Sequence, residues 1–300
     1  MSQSVLDRTA GAPISWGVCE VPGWGIQLPV DRVLSEMSEL GLRATELGSV
    51  GYLPTDSIEL SSTLAAHRLE LIGGFNALAL ADEARADEAM AQARTSAALL
   101  ASAGATHFVT CPVSNPADWQ RPELTVDQRS HLLTMLERVD EMCAQHGLVQ
   151  VLHSHVDSLI ETADEVQWIL DNSDVRWVLD TGHLQIGGYD PVAFALQYSN
   201  RVHLVHLKDL RSPIAARLNA EELSLMEAVQ EGLFVPLGQG DVDIATVIAT
   251  LESQGFDGWY VIEQDAAITA GEPALGDGPI RDVRTSVAFI RSLDAELGAA

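Results

Sequence analysis

Four short apolar runs in the chain each end in a side chain that binds divalent metals: Val-Leu-His153, Val-Leu-Asp180, Leu-Val-His206 and Val-Ile-Glu263. An apolar run bounded by polar or turn residues reads as a strand buried on both faces, the signature of a parallel sheet. Successive ligands lie 27, 26 and 57 residues apart, and each of the first two intervals is about one strand–loop–helix–loop unit. Neighbouring parallel strands end at one rim, so the four side chains are expected to converge there. Two imidazoles and two carboxylates suit a divalent ion, with Mn2+ or Co2+ foremost and Mg2+, Zn2+ or Fe2+ as alternatives.

Further titratable groups cluster around these four. In Asp-Thr-Gly-His, 180–183, Gly182 permits a tight turn that returns His183 to the rim. An aspartate there can instead cap the following helix, and the company of three other ligands favours the metal. His203 and His206 are three apart, so a strand points them to opposite faces. His206, at the C-terminal end, is the one expected inside, and Lys208 shares its parity. Glu263 ends an otherwise apolar strand, where an isolated carboxylate costs several kcal/mol unless paired or bound to a cation. Asp265 is the alternative of the same parity.

His153 and His155 also share a face, so either can be the ligand while the other holds substrate or carries a proton. Glu161 is a third candidate for that corner. Glu46 ends the second strand and is expected either to bind a substrate hydroxyl or to form a salt bridge. Trp16, Trp24 and Tyr52 follow the first two strands, where aromatic rings either line a polyol site or cover the core. The candidate substrate contacts are therefore Trp16, Glu46, His155, His183, Lys208 and Arg211.

The elements that must position these groups alternate regularly. Strands are expected at 12–16, 44–47, 69–75, 106–111, 149–153, 175–180, 202–207 and 259–263. Helices fall at 30–40, 57–67, 82–104, 126–146, 163–170, 191–198, 244–254 and 279–293, with a long irregular insertion after 207. Such alternation implies parallel pairing with right-handed crossovers. Eight units in about 250 residues is the count of a (β/α)8 TIM barrel, here one domain over 1–300 with the barrel at about 11–294. An open doubly wound sheet is the alternative, but no G-x-G-x-x-G follows the first strand.

Composition excludes several partners. The 43 acidic and 17 basic residues give a formal net charge of −26, which repels nucleic acid and anionic membranes. A neutral polyol or sugar is the substrate easiest to reconcile with that balance. No run approaches the roughly 18 apolar residues that span a bilayer, and the N-terminus lacks the basic and apolar segments of a secretory signal. A cytoplasmic location is expected; homo-oligomerisation is left open. Cys19, Cys111 and Cys143 form no CxxC pair, which argues against a disulfide framework or a cysteine zinc site.

Longer stretches carry a resemblance. Pro-Ile-Ser-Trp-Gly-Val-Cys-Glu-Val-Pro-Gly-Trp-Gly (13–25), Gly-Leu-Arg-Ala-Thr-Glu-Leu-Gly (41–48), Val-Leu-Asp-Thr-Gly-His-Leu-Gln-Ile-Gly-Gly (178–188) and His-Leu-Lys-Asp (206–209) resemble the xylose-isomerase-like barrels. Within them the chain is most similar to the inosose dehydratase subgroup, to which the Ser-Trp-Gly block and Gly-Gln-Gly-Asp-Val-Asp (238–243) point. The resemblance implies metal ligands ending strands five to eight, matching His153, Asp180, His206 and Glu263. It also implies dehydration of 2-keto-myo-inositol through an enediolate, with Glu263 or His153 as base and His183 or Lys208 as acid. A ketose epimerase or aldose–ketose isomerase is the enzymatic alternative, and a non-catalytic sugar-binding protein the other. The related isomerases usually carry glutamate on strand five. The subgroup carries a His-Pro-His-Val-Gly type of segment, from which this chain departs at Ser154 and Asp157.

Overall fold

The computed structural model describes residues 3–298. The strands are β1 Thr9–Gly11, β2 Ala44–Glu46, β3 Glu70–Gly73, β4 Phe75–Leu78, β5 His107–Pro112 and β6 Val149–Leu152. They continue with β7 Trp177–Asp180, β8 Val202–Leu207, β9 Asp209–Leu210, β10 Phe234–Val235 and β11 Trp259–Ile262. The helices are α1 Val30–Glu39, α2 Ser57–Ala66, α3 Ala86–Ser102, α4 Val126–Gln145, α5 Ala163–Asn172 and α6 Thr181–Ile186. After them come α7 Pro191–Tyr198, α8 Ser212–Asn219, α9 Leu225–Gln230, α10 Ile244–Ser253 and α11 Pro279–Leu297.

Nine of the strands form one parallel sheet in the order β3-β2-β1-β11-β8-β7-β6-β5-β4. Only Gly74 separates β3 from β4. Thr106 N–H donates to Ile72 O and Val109 N–H to Gly74 O, so the pairing passes from β2 on one side to β5 on the other and the sheet closes. β3 and β4 therefore share one position of an eight-position (β/α)8 barrel. The single strand expected over 69–75 is in fact this broken pair, because Gly74 lets the chain change partners in mid-run.

The expected first strand is corrected more sharply. Beyond Ala12 the expected strand is not extended: Pro13–Trp16 forms a 3-10 turn, and the pairing strand is β1, just before it. Pro13 has no N–H for a ladder and suits the first turn of a helix. The stretch after 207 is not irregular either. It holds α8, α9 and an antiparallel ribbon of β9 with β10. Among the described residues no helix is long and apolar enough to cross a membrane.

The core has two layers. Ala10, Ala12, Ala44, Ile72, Val109, Val151, Val178, Leu204 and Val261 fill the barrel interior. A larger cluster, including Phe108, Trp177, Tyr260, Met135 and Ile290, lies between the barrel and its helices. Capping boxes start α4 (Thr125 with Gln128), α5 (Thr162 with Glu165) and α9 (Ser224 with Glu227).

His107, of the same strand parity as Val109, is buried at the N-terminal end of β5. Burial pushes its imidazole below the ordinary value of 6.5, with His203 adding to the shift and Glu46 opposing it. The folded state thus binds this proton less readily than the unfolded chain. Its contribution is complete above about pH 6.5 and is lost as pH falls below that value. His107→Gln should flatten the fall of Tm between about pH 7 and 5 relative to the parent; an unchanged slope would refute this.

Candidate metal centre and active site

Strand alternation returns a side chain to the same face every second residue. Two residues beyond the interior positions Ala44, Val151, Val178, Leu204 and Val261 stand Glu46, His153, Asp180, His206 and Glu263. The packing that fills the barrel thereby aims all five at one place. Asp180 and His206 are direct partners across β7 and β8. His153 and Glu263 each sit one residue past a strand end.

His153 Nε2 lies 3.1 Å from His206 Nδ1 and 3.5 Å from Asp180 Oδ2. His206 Nδ1 is 3.0 Å from Glu263 Oε2 and 3.6 Å from Asp180 Oδ2. One ligand atom from each of the four residues lies within 4.8 Å of the others, and all four residues are buried.

The donor chemistry fits a divalent cation. Asp180 Oδ1 accepts the His183 N–H at 2.7 Å and caps α6, while Oδ2 is buried with no hydrogen-bond donor. A buried carboxylate oxygen without a hydrogen-bond partner is costly; Lys208 Nζ stands 3.8 Å away, and a metal ion among the four ligands would give this oxygen a direct partner. The cap and the ligand therefore coexist on one side chain. His206 Nε2 is 3.3 Å from Glu46 Oε1, which can only accept, so the Nε2–H points to Glu46 and a metal ion would take the Nδ1 position in place of its proton.

Burial pushes the His206 imidazole down, but Glu263 and Glu46 outweigh it and hold the ring well above its usual range. The centre carries more carboxylate charge than Lys208 balances, and it draws a second positive charge. Glu46→Gln should leave the fold intact and weaken Mn2+ retention by about 10–100-fold, with turnover recovering at saturating metal. An unchanged metal affinity would remove Glu46 from this role.

Lys208 adjoins the cluster, fully buried. Its Nζ donates to Asp265 Oδ1 at 2.6 Å and Glu263 Oε1 at 2.8 Å, and stands 3.3 Å from His183 Nε2. Burial would lower its pKa, but Asp265, Glu263 and Asp180 keep it above the ordinary lysine range. Burial pushes Asp265 up to about 6 against the pull of Lys208. The Gly182 of the Asp-Thr-Gly-His motif is required here: a Cβ would lie 2.7 Å from Lys208 Cγ.

His155 stacks on His183, ring centroids 3.9 Å apart, and donates Nδ1–H to Val156 O at 2.6 Å. Burial, reinforced by His153, pushes its pKa down to about 3. Phe75 meets His153 edge-on at 5.7 Å, and Phe234 lies 4.9 Å from Lys208 Nζ.

Of the residues expected from sequence, the structure brings together His153, Asp180, His206, Glu263, Glu46, His155, His183 and Lys208. It does not bring Trp16, whose fully buried indole donates to Glu36 Oε2 at 2.9 Å in the core. Arg211 is exposed and donates to Gly232 O at 3.0 Å, bracing the α9–β10 turn. Glu161 lies outside the cluster, paired with Arg121 at 3.0 Å. Trp24 and Tyr52 use their polar atoms on Ala266 O and Leu28 O. All three cysteines are buried free thiols.

Sequence reasoning missed Phe75, Phe234 and Trp119, which lie on a broken strand, a ribbon and a loop. It also missed the role of Asp209, whose carboxylate accepts the N–H groups of Leu210, Gly238, Gly240 and Val242. That explains why His-Leu-Lys-Asp and Gly-Gln-Gly-Asp-Val-Asp occur together: a Cβ on Gly240 would lie 2.2 Å from Asp209 Oδ1.

Known proteins share this arrangement of sequence and fold. The chain is 33% identical to an inosose dehydratase of Geobacillus kaustophilus over 275 residues, 87% of this chain and 89% of that protein. It is 32% identical to the rhizopine catabolism protein MocC of Rhizobium meliloti, over 84% and 80% of the two. Among solved structures, the IOLI protein with a binding zinc atom superposes with a TM-score of 0.71 at 14% identity, over 96% of this chain and 98% of that one. Residues 34–293 match the xylose isomerase-like TIM barrel family as a whole. With a barrel closed by the predicted alternation and a match over most of its length, the chain belongs to the xylose isomerase-like TIM barrel family.

Proposed function

We propose that this chain is a divalent-metal-dependent hydro-lyase that eliminates water from 2-keto-myo-inositol (scyllo-inosose). The observation that carries the reading is a buried proton-donor pair, Lys208 and His183, set directly against a four-ligand metal cluster. The similarity to inosose dehydratases supplies the substrate class. His153, Asp180, His206 and Glu263 would hold the ion, Mn2+ being the first to try. When bound, it supplies Lewis-acid polarisation of the ketone and charge stabilisation for the enediolate that follows loss of the α-proton.

The chain's own residues divide the proton transfers. Glu263 gives Oε1 to Lys208 and Oε2 to His206, and His153 directs Nε2 into the cluster. His155 keeps an uncommitted lone pair on Nε2, because its Nδ1–H is fixed on Val156 O. We assign it the removal of the α-proton. Lys208 holds three protons; two face Glu263 and Asp265 and the third faces His183 Nε2. A neutral His183 has one lone pair and accepts from either Lys208 or Val156 N–H, not both. This pair donates the proton that leaves with the β-hydroxyl.

The test is turnover of chelator-stripped protein on 2-keto-myo-inositol, with and without Mn2+, followed by the ultraviolet absorbance of the dione. Dione formation that requires the ion is expected. Metal retention without dione, accompanied by exchange of the substrate α-hydrogen with solvent, would overturn dehydration in favour of epimerisation or isomerisation.

A further inference from the structure

Between β5 and α4 the chain makes a loop over 113–125. Ser114 Oγ donates to Gln120 O at 2.6 Å, and Gln120 N–H donates back to Ser114 Oγ at 3.3 Å, which closes the neck of the loop. The next residue, Arg121, is anchored at three points. Its Nε donates to Ser158 O at 2.9 Å, Nη1 lies 3.0 Å from Glu161, and Nη2 bonds both Glu165 oxygens at 2.7 and 2.6 Å.

Those carboxylates are themselves fixed by backbone donors. Glu165 Oε2 accepts the N–H groups of Glu161 and Thr162, and Glu161 Oε2 accepts that of Asp157. Asp157 holds the left-handed backbone (φ 64°) that ends the His153–His155 segment. Arg121 thus joins the loop to the segment that carries two of the site's histidines.

Inside the closed loop, just before Gln120 and Arg121, stands Trp119, half-buried. Its ring meets His155 edge-on at 5.1 Å and lies 6.1 Å from Phe75 at an interplanar angle of 22°. Its indole N–H has no hydrogen-bond partner among the described residues. Trp119 therefore sets its ring at the rim beside His155 and Phe75. A neutral ring polyol offers no charge to grip, but its C–H faces complement such a surface.

We propose that Trp119 is the wall on which the substrate ring stacks, and that Arg121 is the positioning residue that holds it over the site. The inference rests on the keto-polyol reading above and extends it to how the substrate is held. A partly exposed ion pair adds little to global stability, so the effect of Arg121 belongs in binding.

The experiment uses the metal-loaded protein. Binding of the unreactive ring polyol myo-inositol is measured by calorimetry and by tryptophan fluorescence, together with KM and kcat on 2-keto-myo-inositol. Trp119→Ala should raise Kd and KM about tenfold, with kcat and bound metal little changed and Trp119→Phe near the parent. The fluorescence response to the polyol should vanish in Trp119→Phe. Arg121→Ala should raise KM several-fold with little change in Tm, and Arg121→Lys should recover part of it. Parental binding in Trp119→Ala, or metal loss in Arg121→Ala, would overturn the inference. Repeating the titration with D-fructose and L-ribulose separates it from the dehydratase reading. A protein that forms no dione yet binds one of these polyols through Trp119 keeps the inference; a parent that binds none loses it.

Discussion

Asp180→Asn is expected to abolish metal retention and turnover together while keeping the fold. Asparagine keeps the Oδ1 that caps α6 through the His183 N–H, so the local fold has what it needs. What changes is Oδ2, buried with no donor. An amide there removes a charge that Lys208, 3.8 Å away, and the neighbouring histidines hold ionised, so the metal-free variant gains no stability and a cation loses its ligand. The loss of several kcal/mol of transition-state stabilisation corresponds to at least about a thousandfold in kcat. For the parent, Mn2+ at about a hundred times its Kd adds about 2.7 kcal/mol, or roughly 4 °C in Tm for a chain of this size. That increment should disappear in the variant. Elemental analysis and Tm with and without Mn2+ check both halves, and a variant that keeps its metal and its rate refutes the assignment.

The same residue marks how far sequence alone could go. Val178 and Asp180, Leu204 and His206, and Val261 and Glu263 show the two-residue spacing of a strand face in the bare sequence. The interior core and the ligand rim were therefore legible together. The choice among His153, His155 and Glu161 was not, because two histidines of equal parity differ only in where the chain leaves the strand. β6 ends at Leu152, so His153 still follows the barrel register while His155 moves on to stack against His183. The irregular element boundaries hid for similar local reasons. Pro13 turned an apparent strand into a 3-10 turn, and Gly74 divided one strand between two partners. Trp119 carried no sequence signal at all, since its position depends on Arg121 reaching carboxylates some forty residues away.

Lys208→Met carries the other large effect, and its cost is electrostatic. The lysine is the single buried ammonium against Glu263 and Asp265, at 2.8 and 2.6 Å. Removing one partner of a buried ion pair leaves the other charge unbalanced, typically at 3–5 kcal/mol, so the variant should be markedly less stable. Adding Asp265→Asn should return much of that stability by removing one stranded carboxylate. Activity should not return. The site would have lost the proton source beside His183, and general-acid loss of this kind lowers kcat by about 10²–10⁴-fold. Metal retention moves the opposite way from Asp180→Asn: without the neighbouring ammonium, the four-ligand cluster should hold Mn2+ at least as tightly as before. A stable double variant that binds metal and makes no dione is the expected result, read by denaturant unfolding, elemental analysis and steady-state rates. A double variant with parental kcat would show that the proton leaving with the hydroxyl comes from elsewhere.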